Sequence, residues 1–318
     1  MLGRCMEAEM REQPQVLASN AKRFEDELSR ELGGRSFEMA LLVARGSSDN
    51  AALYGRYLIE IHLGIPACLA APSVLTRYGT RVRYPNCLAI GISQSGAAPD
   101  VAEVLQAMRE AGHTTLGITN SPGSRITEVA EHSLLLDAGP EESVPATKTY
   151  TASLLALCAM VRALGGNLPR PEGQLPDERW LNQTRETAET ELGYILRSPV
   201  LFALARGYGF CTAQETALKL MECALLPCKS YSSADFEHGP KALAGPGSAA
   251  IVYGEPLSEL EAQGCRLVQS PPPPTSVPEA LKPLWEIFFG QWLALLAARA
   301  RAFDPDHPQF IRKVTETR

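Results

Sequence analysis

The sequence lacks any paired-cysteine spacing. Eight cysteines are present, yet no two stand as Cys-x-x-Cys. Cys5, Cys68, Cys87, Cys158, Cys211 and Cys265 are scattered, most of them within apolar stretches, and Cys223 and Cys228 have no cluster of other ligand-type residues beside them. That argues against a disulfide framework and against structural zinc, so buried free thiols in a reducing, cytoplasmic compartment are expected. Long apolar runs are missing too: none reaches the roughly 18 residues that a membrane span needs. The opening MLGRCMEAEMREQPQ reads as a charged helix, without the apolar core of a signal peptide. A basic excess is absent. Thirty Lys and Arg face 36 Asp and Glu, a net charge of −6, which leaves no broad cationic surface for nucleic acid. Neither GxGxxG nor GxxxxGK[ST] occurs, and Gly207-Tyr208-Gly209 does not complete the first. Nucleotide binding is therefore disfavoured, and neither cofactor nor metal is expected.

What is present is an alternation of strand and helix signals over 318 residues, a length that suggests about two domains. Apolar runs at 39–44, 67–69, 87–92, 115–119 and 133–136 read as strands, with helices expected up to about 63 and over 99–111 and 147–163. Buried strands alternating with helices predict an α/β fold with a mainly parallel sheet covered on both faces. A Gly- and Pro-rich stretch at 165–177 marks a boundary, a helix follows over 178–192, and the pattern restarts with a strand at 200–204. The restart carries an echo. Ala44-Arg45-Gly46 recurs as Ala205-Arg206-Gly207, the helix after each ends near an acid, Glu60 or Glu222, and Ile65-Pro66 recurs as Leu226-Pro227. Order and spacing together predict a duplication of domain size. The second half is shorter, with a strand at 249–253, a brief helix at 257–263, Leu267-Val268, a stiff Pro271–Pro274 link, an apolar helix at 279–300 and a polar tail. The expected segments are a helical 1–34, a first domain at 35–165, a linker and helix at 166–192, and a second, shortened domain at 193–318.

Two loops have the composition of an anion site. In LAIGISQSG a buried strand ends in Ser93-Gln94-Ser95-Gly96 and leads into a helix. Unpaired N–H groups at that helix start, two hydroxyls and a glycine that permits close approach can hold a phosphate without any Lys or Arg. The site would lie at the carboxyl end of a strand, where α/β sheets bind ligands. Gly46-Ser47-Ser48-Asp49-Asn50 is a second small polar loop after a strand. Ordinary helix capping is the alternative for both.

These loops resemble the SIS, or sugar isomerase, family, whose motifs look like GxSxNA after the first strand, SxSGxS after the third and ATKTYT before the long helix. Here they stand as Gly46-Ser47-Ser48-Asp49-Asn50-Ala51, Ser93-Gln94-Ser95-Gly96 and Ala146-Thr147-Lys148-Thr149-Tyr150-Thr151. The resemblance covers almost the whole chain in two tandem SIS domains. It is close to the isomerase half of glutamine–fructose-6-phosphate amidotransferase and closer to the free-standing glucosamine-6-phosphate deaminases of that type. The ammonia-producing domain of an amidotransferase is not expected around Cys5.

The resemblance implies a sugar-phosphate deaminase or isomerase, most simply one acting on glucosamine 6-phosphate or a related hexosamine phosphate. Gly46, Ser47, Ser48, Ser93, Gln94, Ser95, Gly96, Thr147 and Lys219 would contact substrate. Ala217-Leu218-Lys219-Leu220-Met221-Glu222 looks like the family's ALKLKE, which makes Glu222 the proton-shuttling carboxylate. Glu237-His238-Gly239-Pro240 looks like its HGP motif, whose histidine opens the sugar ring, and Lys313 matches the lysine that reaches the open-chain carbonyl. Taken singly, the three could be a solvated helix acid, a turn residue and a tail charge. The resemblance further implies a homodimer, with the histidine supplied by the partner. One departure bears on affinity. Family members often continue SQSGES or SQSGET, whereas Ala97 and Ala98 follow Gly96 here. A lost charge-assisted hydrogen bond costs about 1.5–3 kcal/mol. A non-catalytic sugar-phosphate sensor, or a scaffold that has lost activity, therefore stays open beside the enzyme.

Overall fold

The computed structural model describes residues 1–313 and divides into two compact units. One comprises Gln15–Glu141 and Lys148–Glu172 together with Arg312 and Lys313; the other comprises Met1–Pro14, Glu142–Thr147 and Gly173–Ile311. The first helix, α1 (Arg4–Leu32), contributes to both.

The first unit is built on five parallel strands: β1 (Met39–Val43), β2 (Ala67–Leu69), β3 (Cys87–Ile92), β4 (Thr114–Thr119) and β5 (His132–Leu135), in the order β2-β1-β3-β4-β5. The register sets Leu42 beside Ile90, and Ile90 beside Leu116. Every residue of β1 and β3 is buried, which is why these central strands read as unbroken apolar runs. The connecting helices are α2 (Ser47–His62), α3 (Ser73–Thr76), α4 (Pro99–Glu110) and α5 (Arg125–Val129), followed by α6 (Lys148–Ala163). Leu41, Val43, Ala89, Val101, Leu105, Met108 and Ile126 pack into one core between the sheet, α4 and α5. On α2, the Tyr54 hydroxyl lies 3.0 Å from Cys158 Sγ of α6.

The second unit opens with α7 (Glu178–Arg197), whose first turn is capped by Asp177 Oδ1 accepting from Trp180 N at 2.8 Å. This helix runs five residues past its expected end. Next come β6 (Val200–Ala205), α8 (Phe210–Ala224), β7 (Cys228–Ser232), α9 (Ser233–Phe236), β8 (Ser248–Val252), α10 (Ser258–Ala262), β9 (Arg266–Gln269) and α11 (Pro283–Ala300). The four parallel strands are ordered β7-β6-β8-β9, the first sheet's order without its last strand. Ala44-Arg45-Gly46 follows β1 and Ala205-Arg206-Gly207 closes β6 and follows it, so the echo falls at the same place in both sheets. Ile65-Pro66 and Leu226-Pro227 each precede the edge strand beside it.

β7 escapes the pattern of the sequence because only Cys228 of its five residues is buried, as befits a polar edge strand. α11 begins at Pro283, four residues later than the apolar run, after a short 3₁₀ turn at Glu279–Leu281; proline suits a first helical position. Nearly all of α11 is buried within this unit, which explains an apolar helix with no polar face. Trp180 Nε1 donates to its Trp285 carbonyl at 2.8 Å, and Trp292 Nε1 donates to Leu181 O at 3.0 Å. Among the described residues no helix is long and apolar enough to cross a membrane.

Candidate active site

The cradle loop of the first unit is held by its own backbone. Ser93 N donates to Ile118 O and Gly96 N to Ser93 O, while Asn120 N and Thr119 Oγ1 donate to Gln94 O. Gly96 has φ +62°, and a Cβ there would stand 2.0 Å from Ser124 Oγ and 2.5 Å from Ser124 Cβ. Backbone strain and contact therefore both demand glycine at this turn. The capping alternative for the serines does not hold. The residue before α4 is Ala98, with no side-chain cap, and Pro99 begins the helix. Among the described residues the Ser93 hydroxyl makes no hydrogen bond; Ser95 Oγ accepts only from Ala97 N at 3.3 Å. Neither hydroxyl caps α4, and that of Ser93 is uncommitted.

The neighbouring loop begins at Gly46, φ +57°, and α2 starts at Ser47. Arg45 Nε donates to Asp100 Oδ2 at 2.7 Å, and Asp100 is 2% exposed and also accepts from Val101 N. This ion pair ties the loop after β1 to the first turn of α4. Burial holds the Asp49 carboxyl above its ordinary value, with Arg45 pulling the other way.

An open cavity of about 380 Å³ lies beside the cradle, lined by Gln94, Asn120, Ser121, Asp137, Gly139 and Glu141 among others. These residues follow the carboxyl ends of β3, β4 and β5. Asn120 shapes the wall: Ala138 N donates to its Oδ1 at 2.9 Å, and its Nδ2 donates to Gly139 O at 2.9 Å. Glu141 is buried; its Oε1 accepts from Thr149 N at 3.1 Å, and its Oε2 accepts from Thr149 Oγ1 at 2.7 Å and from Lys313 Nζ at 3.0 Å. Lys313 is thereby joined to the wall of the cavity that Gln94 also lines. Local pattern reading missed Glu141. Its available signal was an acid in a Gly-Pro-Glu turn seven residues before a helix. Thr147 is buried at the end of the segment leading into α6.

In the second unit, α8 carries Lys219 and Glu222. Lys219 is fully buried, with Nζ 2.6 Å from Glu222 Oε2 and 3.2 Å from Glu215 Oε1. Burial works against its charge, yet the two carboxylates outweigh burial and raise the ammonium above its ordinary value. Glu222 keeps 24% of its side chain exposed, whereas Glu215 keeps none. Among the described residues His238 makes no hydrogen bond or ion pair with this cluster. It is exposed in the turn after α9, where its backbone N donates to Asp235 O at 3.0 Å. Residues 314–318, the end of the tail after Lys313, lie outside the described residues.

The loop after β6 occupies the position of the first unit's Gly46 loop, but its surroundings oppose an anion. Glu286 of α11 is 5% exposed, with Oε2 3.4 Å from where a Cβ on Gly209 would stand, and Glu279 Oε1 is 4.0 Å from the same point on Gly207. Burial raises the Glu286 carboxyl to about 7, Lys282 opposes the rise and Glu279 adds to it. A raised carboxyl favours folding in its protonated form, so that stability is full below the unfolded value of 4.5 and is lost as pH climbs through about 7. Glu286→Gln removes the ionisation. The stability of the variant relative to the wild type is expected to rise by about 2–3 kcal/mol between pH 5 and pH 8. Urea denaturation at the two pH values reads this, and a pH-independent difference would contradict it.

The SIS domain family model matches residues 38–163, the stretch that holds all five strands of the first sheet, the cradle and α6. The chain is 34% identical over 268 residues to the isomerizing glutamine–fructose-6-phosphate aminotransferase of Aquifex aeolicus, a match spanning 80% of this chain and 45% of that protein. The chain thus spans about half the length of the curated relatives it matches. Its fold is similar to that of glucosamine-6-phosphate deaminase from Thermotoga maritima, with a TM-score of 0.78, 22% identity and coverage of 96% of this chain and 100% of that one. The C-terminal domain of glucosamine-fructose-6-phosphate aminotransferase from Francisella tularensis is similar too, with a TM-score of 0.79, 21% identity and coverage of 96% and 98%. With its matched motifs lying on the loops of a five-stranded parallel sheet, the chain belongs to the SIS family.

Proposed function

We propose that this protein is a phosphosugar isomerase of the SIS type that acts as a deaminase, converting glucosamine 6-phosphate and water to fructose 6-phosphate and ammonia. The observation that carries the reading is the first unit's cavity. A cradle of neutral donors, with Ser93 and Ser95 unspent as helix caps, meets a wall to which an ammonium, that of Lys313, is bound. Such a pair suits a substrate with a phosphate at one end and a carbonyl at the other. Ser47, Ser48, Ser93, Gln94 and Ser95 hold the phosphosugar, with Gly46, Gly96, Thr147 and Lys219 shaping or contacting its site. His238 moves the ring-oxygen proton. Glu222 carries a proton from C2 to C1, leaving an imine at C2 that water hydrolyses with release of ammonia. Lys313 stabilises charge developing on the carbonyl oxygen.

In this reading residues 193–318 are a second SIS copy that has lost its last strand, in keeping with the shared strand order and the matching turns. The exposure of His238 suits donation to another subunit, so the working form is a homodimer; a fully active monomer in sedimentation would remove that arrangement. Ala98 favours a second reading. The start of α4 offers no hydroxyl where relatives often have one, and a sensor could accept the weaker hold that this implies.

The test is incubation with glucosamine 6-phosphate while following ammonia and fructose 6-phosphate, beside calorimetric binding of fructose 6-phosphate. Ser95→Ala should weaken binding roughly tenfold to a hundredfold, the worth of one hydrogen bond to a charged group. Unchanged affinity would remove Ser95 from the cradle. Binding without turnover of any hexose phosphate would favour the sensor.

A further inference from the structure

We infer that Glu141 is the positioning residue for Lys313, fixing where its ammonium stands at the edge of the sugar-phosphate cavity; this rests on the phosphosugar reading above. Glu141 lies in the turn before α6 and its side chain is fully buried. Two of its contacts are made to the first turn of α6, from Thr149 N at 3.1 Å and Thr149 Oγ1 at 2.7 Å. Both belong to a helix start, where exposed N–H groups favour a negative charge. The carboxylate is therefore anchored to a rigid element, and Lys313 Nζ meets the same Oε2 at 3.0 Å. Lys313 needs such an anchor. It sits 172 residues away in sequence, in a segment without helix or strand, with its side chain 23% exposed. A long flexible side chain on an irregular segment samples many positions unless a fixed counter-charge selects one. Glu141 also lines the cavity that Gln94 lines, so the selected position is next to the cradle. In this inference Glu141 acts through Lys313.

The experiment compares Glu141→Gln and Glu141→Asp with the wild-type chain. The first readout needs no turnover: acetylation of Lys313 by a water-soluble succinimidyl acetate, located by mass spectrometry and scaled to exposed Lys22. Glu141→Gln keeps the shape but removes the charge, and Lys313 should label about fivefold faster relative to Lys22. The second readout is deamination of glucosamine 6-phosphate. Here kcat should fall about tenfold to a hundredfold while KM stays within about twofold, because the cradle that binds phosphate is untouched and only the reacting geometry loosens. Glu141→Asp should recover part of both. Thermal melting shows whether each variant folds. Where Glu141→Gln does not, Glu141→Asp and Lys313→Met carry the comparison, since Lys313→Met leaves both Thr149 contacts in place. Unchanged labelling of Lys313 would overturn the inference, as would altered labelling with unchanged kcat. A wild type that turns over no hexose phosphate would end the functional reading and the positioning role with it, while the labelling would still register the pair.

Discussion

Replacing Lys219 by methionine is expected to destabilise the protein by about 3–5 kcal/mol at pH 7, far more than the loss of an exposed ion pair would. The reason lies in what stays behind. Lys219 and Glu215 both have fully buried side chains, one turn apart on α8, with 3.2 Å between Nζ and Oε1. Glu222 approaches the same ammonium at 2.6 Å. Methionine fills much of the lysine's volume, so packing changes little. The substitution instead leaves the buried Glu215 carboxylate without this ammonium, and a buried charge that loses its counter-charge is costly. Cys223 beside it is pushed up by burial first, with Lys219 pulling the other way and Glu222 and Glu215 adding to the rise. Urea denaturation of the two proteins measures the difference. Adding Glu215→Gln to Lys219→Met should recover a good part of it, because the stranded charge is then gone. A loss below about 1 kcal/mol would show that water or relaxation reaches this cluster.

Replacing Glu222 by glutamine is expected to reduce turnover of glucosamine 6-phosphate by about a hundred- to ten-thousandfold, the range that a positioned acid–base group commands. Stability should change little. Glu222 is partly exposed, and a glutamine oxygen can still accept from Lys219 Nζ. Affinity for fructose 6-phosphate should also hold, since the cradle hydroxyls belong to the turn after β3. That combination separates the two cluster carboxylates: Glu215 answers to stability, Glu222 to chemistry. Turnover within tenfold of wild type would exclude Glu222 as the proton carrier. Loss of binding without loss of fold would make it a substrate contact instead.

The two substitutions together bear on how far the motif around α8 is legible. Lys219 and Glu222 stand out as part of a recognisable hexapeptide, but nothing in that hexapeptide announces Glu215. It lies four residues earlier on the same helix face, which makes it reachable by helical spacing alone once the lysine is known to be buried. Burial itself is a property of the fold. In the same way Ser93-Gln94-Ser95-Gly96 can be read as a candidate cradle from its place after an apolar strand, whereas the distinction between cradle and helix cap rests on Ala98 being the residue that precedes α4.

Central strands and the cradle turn were determined by local sequence, because a strand buried on both faces must be apolar throughout and a turn at φ +62° must be glycine. The repeated Arg-Gly turns and the Ile-Pro and Leu-Pro steps likewise announce two sheets of related order. Only the tertiary structure could decide which charges meet. The Glu141–Lys313 pair joins positions 172 residues apart, and Glu286 faces a loop whose place after a strand would otherwise suit a second anion site. Local pattern encodes backbone geometry and which face is buried. It carries no record of which distant side chain fills the space opposite, and the charges that make or unmake a binding site are set there.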